Sequence, residues 1–496
     1  MRSIRVRHRI VCVSSANMTH PQTSSIKPHS VYQRGQEWLR AISAIDVSLK
    51  YTHEKFISVA VDCEIQARCV YIRTFTTCII SELFAQSPQP MPVQVHPRWG
   101  RPSSNELYIE FYGLEESLRR RSWFGDIQGP VQAAIDRISK VRQNQINHGV
   151  TLLDLQSILI CFRSATSYSL YASRSLIKGC IYMMSSMKIS GKSSPFSYEF
   201  GYLCFRIMAV ALGACLLNDK GVLGSAITCM IADEEESMIR TFSGHVSSIT
   251  EEAIAHGGER GMEAYNCMVG WSQCQDHPRI EEVMSTADAG LLLALLWGGL
   301  ELFFQVLSAT VTPGLCGIMY VLWRYVIHKR QCRELSGPEA KRLKVHYTDI
   351  LWRSHLGTVL DQHKAFYLLH SLNSQGLKLW EENPKYINLE DSKLIIRLIG
   401  NQMLRHTGAI APENFSNALS YAYHHSIRFV GCEDLLPELF GGAFKQLWIL
   451  IEELQDNKDM IIDIVCEVFG WLSKILICFA TRCFDDSNLY NIVLNN

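Results

Sequence analysis

The segment "GLLLALLWGGLELFFQVL", residues 290–307, constrains the fold more than any other, because eighteen residues carrying a single charge must be kept from water. Either a bilayer or a packed protein interior can take them. Twelve uncharged residues separate Asp288 from Glu301 and twenty-two separate Glu301 from Arg324, so a membrane anchor through 289–323 is one expectation. Acids upstream (Glu281, Glu282, Asp288) and basic groups downstream (Arg324, His328, Lys329, Arg330, Arg333) would place its C-terminal side in the cytosol. Against this, a carboxylate at mid-bilayer costs ~2.5–3.5 kcal/mol, and Glu301 would sit near that depth. Glu301, Gln305, Ser308 and Thr312 are spaced 4, 3 and 4, one polar stripe on an otherwise apolar helix. Thr312-Pro313-Gly314 stops that helix, and Pro313 can open a second with an apolar face of Leu315, Ile318, Met319, Leu322 and Val326. The balance favours a buried αα-hairpin, with membrane association as the alternative.

From about residue 31 the apolar residues recur mostly three and four apart, and strand-like alternation is nearly absent. The expected fold is all-α: a large multi-helix bundle or irregular helical array with αα-hairpins behind a flexible N-terminal tail. No period of 20 to 50 residues repeats, so no named repeat architecture is implied. Four regions are expected: a basic tail at 1–30, a helical segment at 31–87, a connector at 88–103 and a main helical domain at 104–496, with a sub-boundary near 331–340. The connector, "PQPMPVQVHPRWGRP" (88–102), holds five of the fifteen prolines and cannot propagate a helix. Thr151 with Asp154 is a capping pair for a helix running toward Met187, and Pro195 can open the next. Further breaks are expected at "NDKG" (218–221), "QDHP" (275–278), "LSGPE" (335–339), "ENPK" (382–385) and "GGAF" (441–444).

Six basic residues, six serines and no acid before Glu37 give the first 36 residues a transit-peptide composition. Yet "IRVRHRIVCV" alternates with period two where a transit peptide should be an amphipathic helix, so a flexible tail is the preferred reading. Lys plus Arg and Asp plus Glu both number 48, so no net field draws in nucleic acid or an anionic membrane. Seventeen scattered cysteines, an odd number without any C-x-x-C, read as buried reduced thiols of a cytoplasmic or nuclear protein.

Sequence patterns for chemistry are sparse. "SGKSS" (190–194) lacks the glycine a phosphate loop needs five residues before Gly191, where Ser186 stands, and it follows a helix instead of a strand. No zinc-protease, nucleophile-elbow, dinucleotide or EF-hand pattern occurs, and neither a cofactor nor a metal site is expected. His346, His355, His363 and His370 crowd one segment, but His363 and His370 lie two helical turns apart, too far along one helix to share a single ion. "CQDH" (274–277) is at most half a zinc site, and His424 and His425 point apart around a helix.

The most suggestive pattern is electrostatic. No acid appears in the 44 positions between Asp154 and Glu199, while Arg163, Ser167, Arg174 and Lys178 fall on one helical stripe near Tyr168, Tyr171 and Tyr182. Such a stripe could receive an anion or an acidic partner. Its bland alternative is neutralisation by the chain's own acids at 233–236 and at Glu251, Glu252, Glu259 and Glu263. Three function classes remain: a non-enzymatic helical scaffold acting through protein–protein contact, which is preferred; a membrane-associated protein anchored through 289–323; and an enzyme whose site is dispersed in sequence, with 346–370 as its wall. The partner and the oligomeric state are not specified by these patterns.

Overall fold

Local punctuation sets most helix boundaries in the computed structural model, which describes residues 95–103 and, with short gaps, 128–494, with side chains through 478. The expected tail (1–30) and N-terminal segment (31–87), Arg163, "SGKS" within "SGKSS", "CQDH" and "QDHP" lie outside the described residues. Seventeen α-helices are formed among the described residues, and no strand beyond two isolated bridges, so the fold is an all-α array. They are α1 (Gln128–Ser139), α2 (Leu152–Cys161), α3 (Tyr168–Tyr171), α4 (Arg174–Ser186), α5 (Glu199–Asp219), α6 (Leu223–Ala232), α7 (Glu235–Arg260), α8 (Thr286–Gly298) and α9 (Leu300–Ala309). Then follow α10 (Leu315–Gln331), α11 (Gly337–Leu356), α12 (His363–Leu372), α13 (Ser374–Glu382), α14 (Leu389–Arg405), α15 (Pro412–Arg428), α16 (Leu436–Glu453) and α17 (Lys458–Leu494). Reciprocal capping boxes start α2 (Thr151 with Asp154) and α11 (Ser336 with Glu339), because each side chain satisfies a backbone N–H that the first turn leaves open.

Several expectations change at the level of packing. The helix from Thr151 does not reach Met187; it stops at Cys161, and a 3-10 turn (Ala165–Ser167) and the short α3 bury Tyr168 and Tyr171 before α4 begins. The apolar run at 290–307 is not one helix: α8 and α9 meet at Gly298–Gly299 with an 86° bend. Glu301, Gln305 and Ser308 keep their stripe along α9, Thr312 falls beyond its end, and Glu301 accepts from Asn388 Nδ2 at 2.7 Å. α10 packs on α8, and α9 packs on α11, so the Pro313 turn joins helices that find different neighbours. Gly314, at φ +71°, supplies the left-handed residue of that turn. The "GGAF" segment does not break a helix but sits inside α16, where a Cβ on Gly442 would come within 2.7 Å of the Gly400 carbonyl oxygen. Glycine is needed there to let α14 and α16 approach, a reason invisible to local propensity.

Part of the proline-rich connector is also a packed element. Trp99 is buried against Phe200, with ring centroids 5.1 Å apart, and its carbonyl caps α5 by accepting from Phe200 N at 3.1 Å.

The described residues form two hydrophobic cores. The first centres on α5, whose residues Glu199 to Leu217 are all buried and which is enclosed by α2, α4, α7 and α10. α5 is long and apolar enough to cross a membrane, as is the bent α8–α9 pair taken together, but the apolar window of α5 is wholly covered by protein. Leu292, Leu293, Leu295, Leu296 and Phe303 likewise belong to this core. The second core gathers α13 to α17. α11 divides the two: Tyr347, Ile350 and Leu351 face the first core, and Val345, Trp352 and Leu356, on the opposite side of the helix, face the second.

Candidate functional site

Polar groups collect where α11 meets the second core. Asp349 and Arg353 lie one turn apart on α11, the spacing at which an acid and a base on one face meet. Neither is exposed, and Arg353 Nε donates to Asp349 Oδ1 at 3.1 Å. The other edge of the guanidinium grips Asp391 of α14 in a two-pronged pair, Nη1 to Oδ1 and Nη2 to Oδ2, the latter at 2.9 Å. Tyr421 of α15 donates its hydroxyl to Asp349 Oδ1 at 2.6 Å, and the Phe304 ring lies 5.2 Å from the guanidinium carbon. Asn388 holds the start of α14 by accepting from Asp391 N, and donates to Glu301 of α9.

One buried cation against two buried carboxylates leaves a negative excess, which Lys385 offsets from its half-buried position over the Trp297 ring, 4.2 Å from the centroid. Burial pushes the Arg353 pKa down, but Asp349, Tyr421 and Asp391 pull it up by more, so the guanidinium stays charged. Burial holds the Asp391 carboxyl above its ordinary value against the pull of Arg353. Burial likewise pushes the Tyr421 phenol far up, so it remains a donor. The network joins four helices through groups satisfied largely by one another, an arrangement that fixes register.

Beside it lies a histidine cluster. His355 of α11, His363 and His370 of α12 and His406 after α14 come together, with ring centroids 4.9 Å (His355–His363), 5.1 Å (His355–His370) and 6.5 Å (His363–His406) apart. Gln402 Nε2 lies 2.9 Å from His355 Nε2 and 3.5 Å from His363 Nδ1, so one amide serves two rings. Burial lowers the His355 pKa far below its ordinary value, that of His363 to about 4 and that of His370 to about 3. The rings of His355, His363 and His370 are therefore neutral at physiological pH. Among the described residues, no group of three or more His, Cys, Asp or Glu side chains is placed to hold a metal ion.

The residues singled out from sequence are scattered. His363 and His370 do share the cluster, but the third ring, His355, comes from another helix. His346 instead stacks on Trp297, with centroids 3.9 Å apart. His425 Nδ1 lies 3.0 Å from Ser392 Oγ while His424 stays half-buried. Arg174 pairs with Asp219 at 2.7 Å and Glu281 at 3.5 Å, acids outside the compensating set suggested by composition. Lys178 is exposed, 5.7 Å from the Tyr182 ring centroid, whereas Ser167, Tyr168 and Tyr171 are buried. Gln402, Asp391, Asn414 and Tyr421 went unread in the sequence; the Asp349–Arg353 spacing inside an apolar helix was the one available signal. Comparison with protein-family models, curated proteins and solved structures returns no match to this chain.

Proposed function

We propose that this chain is a non-enzymatic helical scaffold that works through protein–protein contact, with the outer face of α17 as a contact surface. The observation that carries this reading is the double apolar character of that helix. Ile464, Val468, Leu472 and Ile475 form its buried face within the second core. On the opposite side, Ile462 and Ile477 are each 53% exposed, and the exposed Cys466 and Gly470 lie on the same stripe. Asp463, Glu467 and Lys474 flank it as a charged border. Of the eight large apolar residues exposed among the described residues, four (Trp448, Met460, Ile462, Ile477) are in α16 and α17, which concentrates contact potential at this end of the fold. A helix closing an array against water needs a polar outer face, and this one is only polar in part. The buried Arg353 network and the neutral histidines suit a rigid support for such a surface better than a reactive centre.

The test compares the full chain with the Ile462→Asp/Ile477→Asp double variant by cross-linking in cells and mass spectrometry. Complexes captured by the parent and lost by the variant, with unchanged helicity and melting, support the reading. An identical set of complexes from both would sink it.

A further inference from the structure

Between α11, α12, α14 and α15 lies a small cavity of about 10 Å³, whose polar lining is His355, Tyr367, His370, Gln402 and Asn414 and whose remaining wall, with Trp352 and Met403, is apolar or aromatic. That is the room one water molecule's centre requires. Four buried atoms on this lining have no hydrogen-bond partner: His355 Nδ1, His370 Nε2, Asn414 Oδ1 and the Tyr367 hydroxyl, a group that can donate or accept. His355, His370 and Asn414 are only 2%, 5% and 5% exposed, so bulk solvent does not satisfy them. We propose that this cavity is a binding site for a single water molecule, which accepts from His355 Nδ1–H and donates to His370 Nε2 and Asn414 Oδ1.

Proton placement follows from the neighbours. The Gln402 amide nitrogen, 2.9 Å from His355 Nε2, donates to that atom, so the proton of the neutral ring sits on Nδ1, facing the unpartnered group. Asn414 Oδ1 can only accept. A ligand must therefore accept once and donate, and water does both, giving three hydrogen bonds in a site of one-water size. A metal ion fits poorly, because the same amide leaves His355 Nδ1 protonated and no acid lines the cavity. The water would add hydrogen bonds between α11, α12 and α15, which Trp352 already joins by ring contacts to His370 and Tyr421.

The experiment uses the full chain. A crystal structure at a resolution that shows ordered solvent is expected to reveal one peak ~2.7–3.2 Å from the three atoms. Oxygen-17 relaxation dispersion in solution is expected to count one fewer long-lived water in His370→Phe than in the parent. Should His370→Phe fail to fold, Asn414→Leu, which fills the cavity from α15, is expected to show the same loss. An empty, well-ordered cavity would overturn the proposal, as would direct contact between His355 and Asn414, ligand distances near 2 Å with metal found by elemental analysis, or an unchanged count of long-lived waters in a folded variant.

Discussion

The two cores are built on different principles. Around α5 the first core is mostly hydrocarbon and sulfur, with Glu199 and Arg206 of α5 and Arg324 of α10 as buried charged groups, and its cysteines, Cys204 and Cys215, are buried thiols whose pKa burial raises. Around α11 and α14 the second core encloses an ion-pair network and a histidine cluster in contact with Trp352 and Tyr421. The first is held by volume and area, which tolerate small errors of angle. The second is held by directional bonds between groups that are costly to leave unmatched, so its geometry is more strictly determined and its stability more conditional.

The largest expected effect falls on the polar core. Arg353→Leu strands Asp349 and Asp391 in a buried site and should cost about 3–5 kcal/mol in urea unfolding, as removal of one partner of a buried pair does. A loss below about 1 kcal/mol would mean that the network is hydrated and that the contrast between the cores fails. In the apolar core, Leu212→Ala should cost about 3 kcal/mol through lost burial and the cavity left behind, independent of pH.

Acid should separate the two regions. His363 and His370 have folded-state pKa values depressed to about 4 and about 3, so their contribution is complete above the unfolded value near 6.5 and is lost as pH falls below it. Between pH 6.5 and 5.5 each should cost about 1 kcal/mol, measured as a falling urea midpoint that is blunted in His363→Asn/His370→Asn. Hydrogen exchange should quicken first in α12 and α14 while α5 stays protected; uniform acceleration would break the comparison. Smaller again, Gly442→Ala should destabilise by about 1–2 kcal/mol despite alanine's better helix propensity, because its Cβ meets the Gly400 carbonyl. A gain in melting temperature would show that α14 and α16 are less tightly apposed. At the far end of the scale, Ile462→Asp should change stability by no more than about 0.5 kcal/mol, since the side chain touches mainly solvent.

Legibility in the sequence followed the range of the interaction. The capping box at Thr151, the break at "LSGPE" and the C-terminal ends of α5 and α13 fall where the residues said they would, since each depends on neighbours within one turn. Gly298–Gly299 and Gly442 were misjudged for the same reason in opposite directions. A glycine pair can bend a helix or seat another helix upon it, and its chemistry is identical in both cases. The histidine cluster was half legible: His363 and His370 share a helix face by spacing, but His355, Gln402 and Asn414 reach them only through tertiary packing.

The sequence by itself determined an all-α chain, because a period of three to four in apolar residues can bury its hydrophobic face only as helices packed together. It also determined that 290–307 had to be sheltered from water. Tertiary structure alone decided that α5 is enclosed on every side, that the 290–307 segment turns by 86° at Gly298–Gly299, and that Arg353 meets Asp391 across 38 positions. The physical reason is that burial is a demand each segment states in its own composition, whereas the partner that meets it is chosen by shape and charge far along the chain.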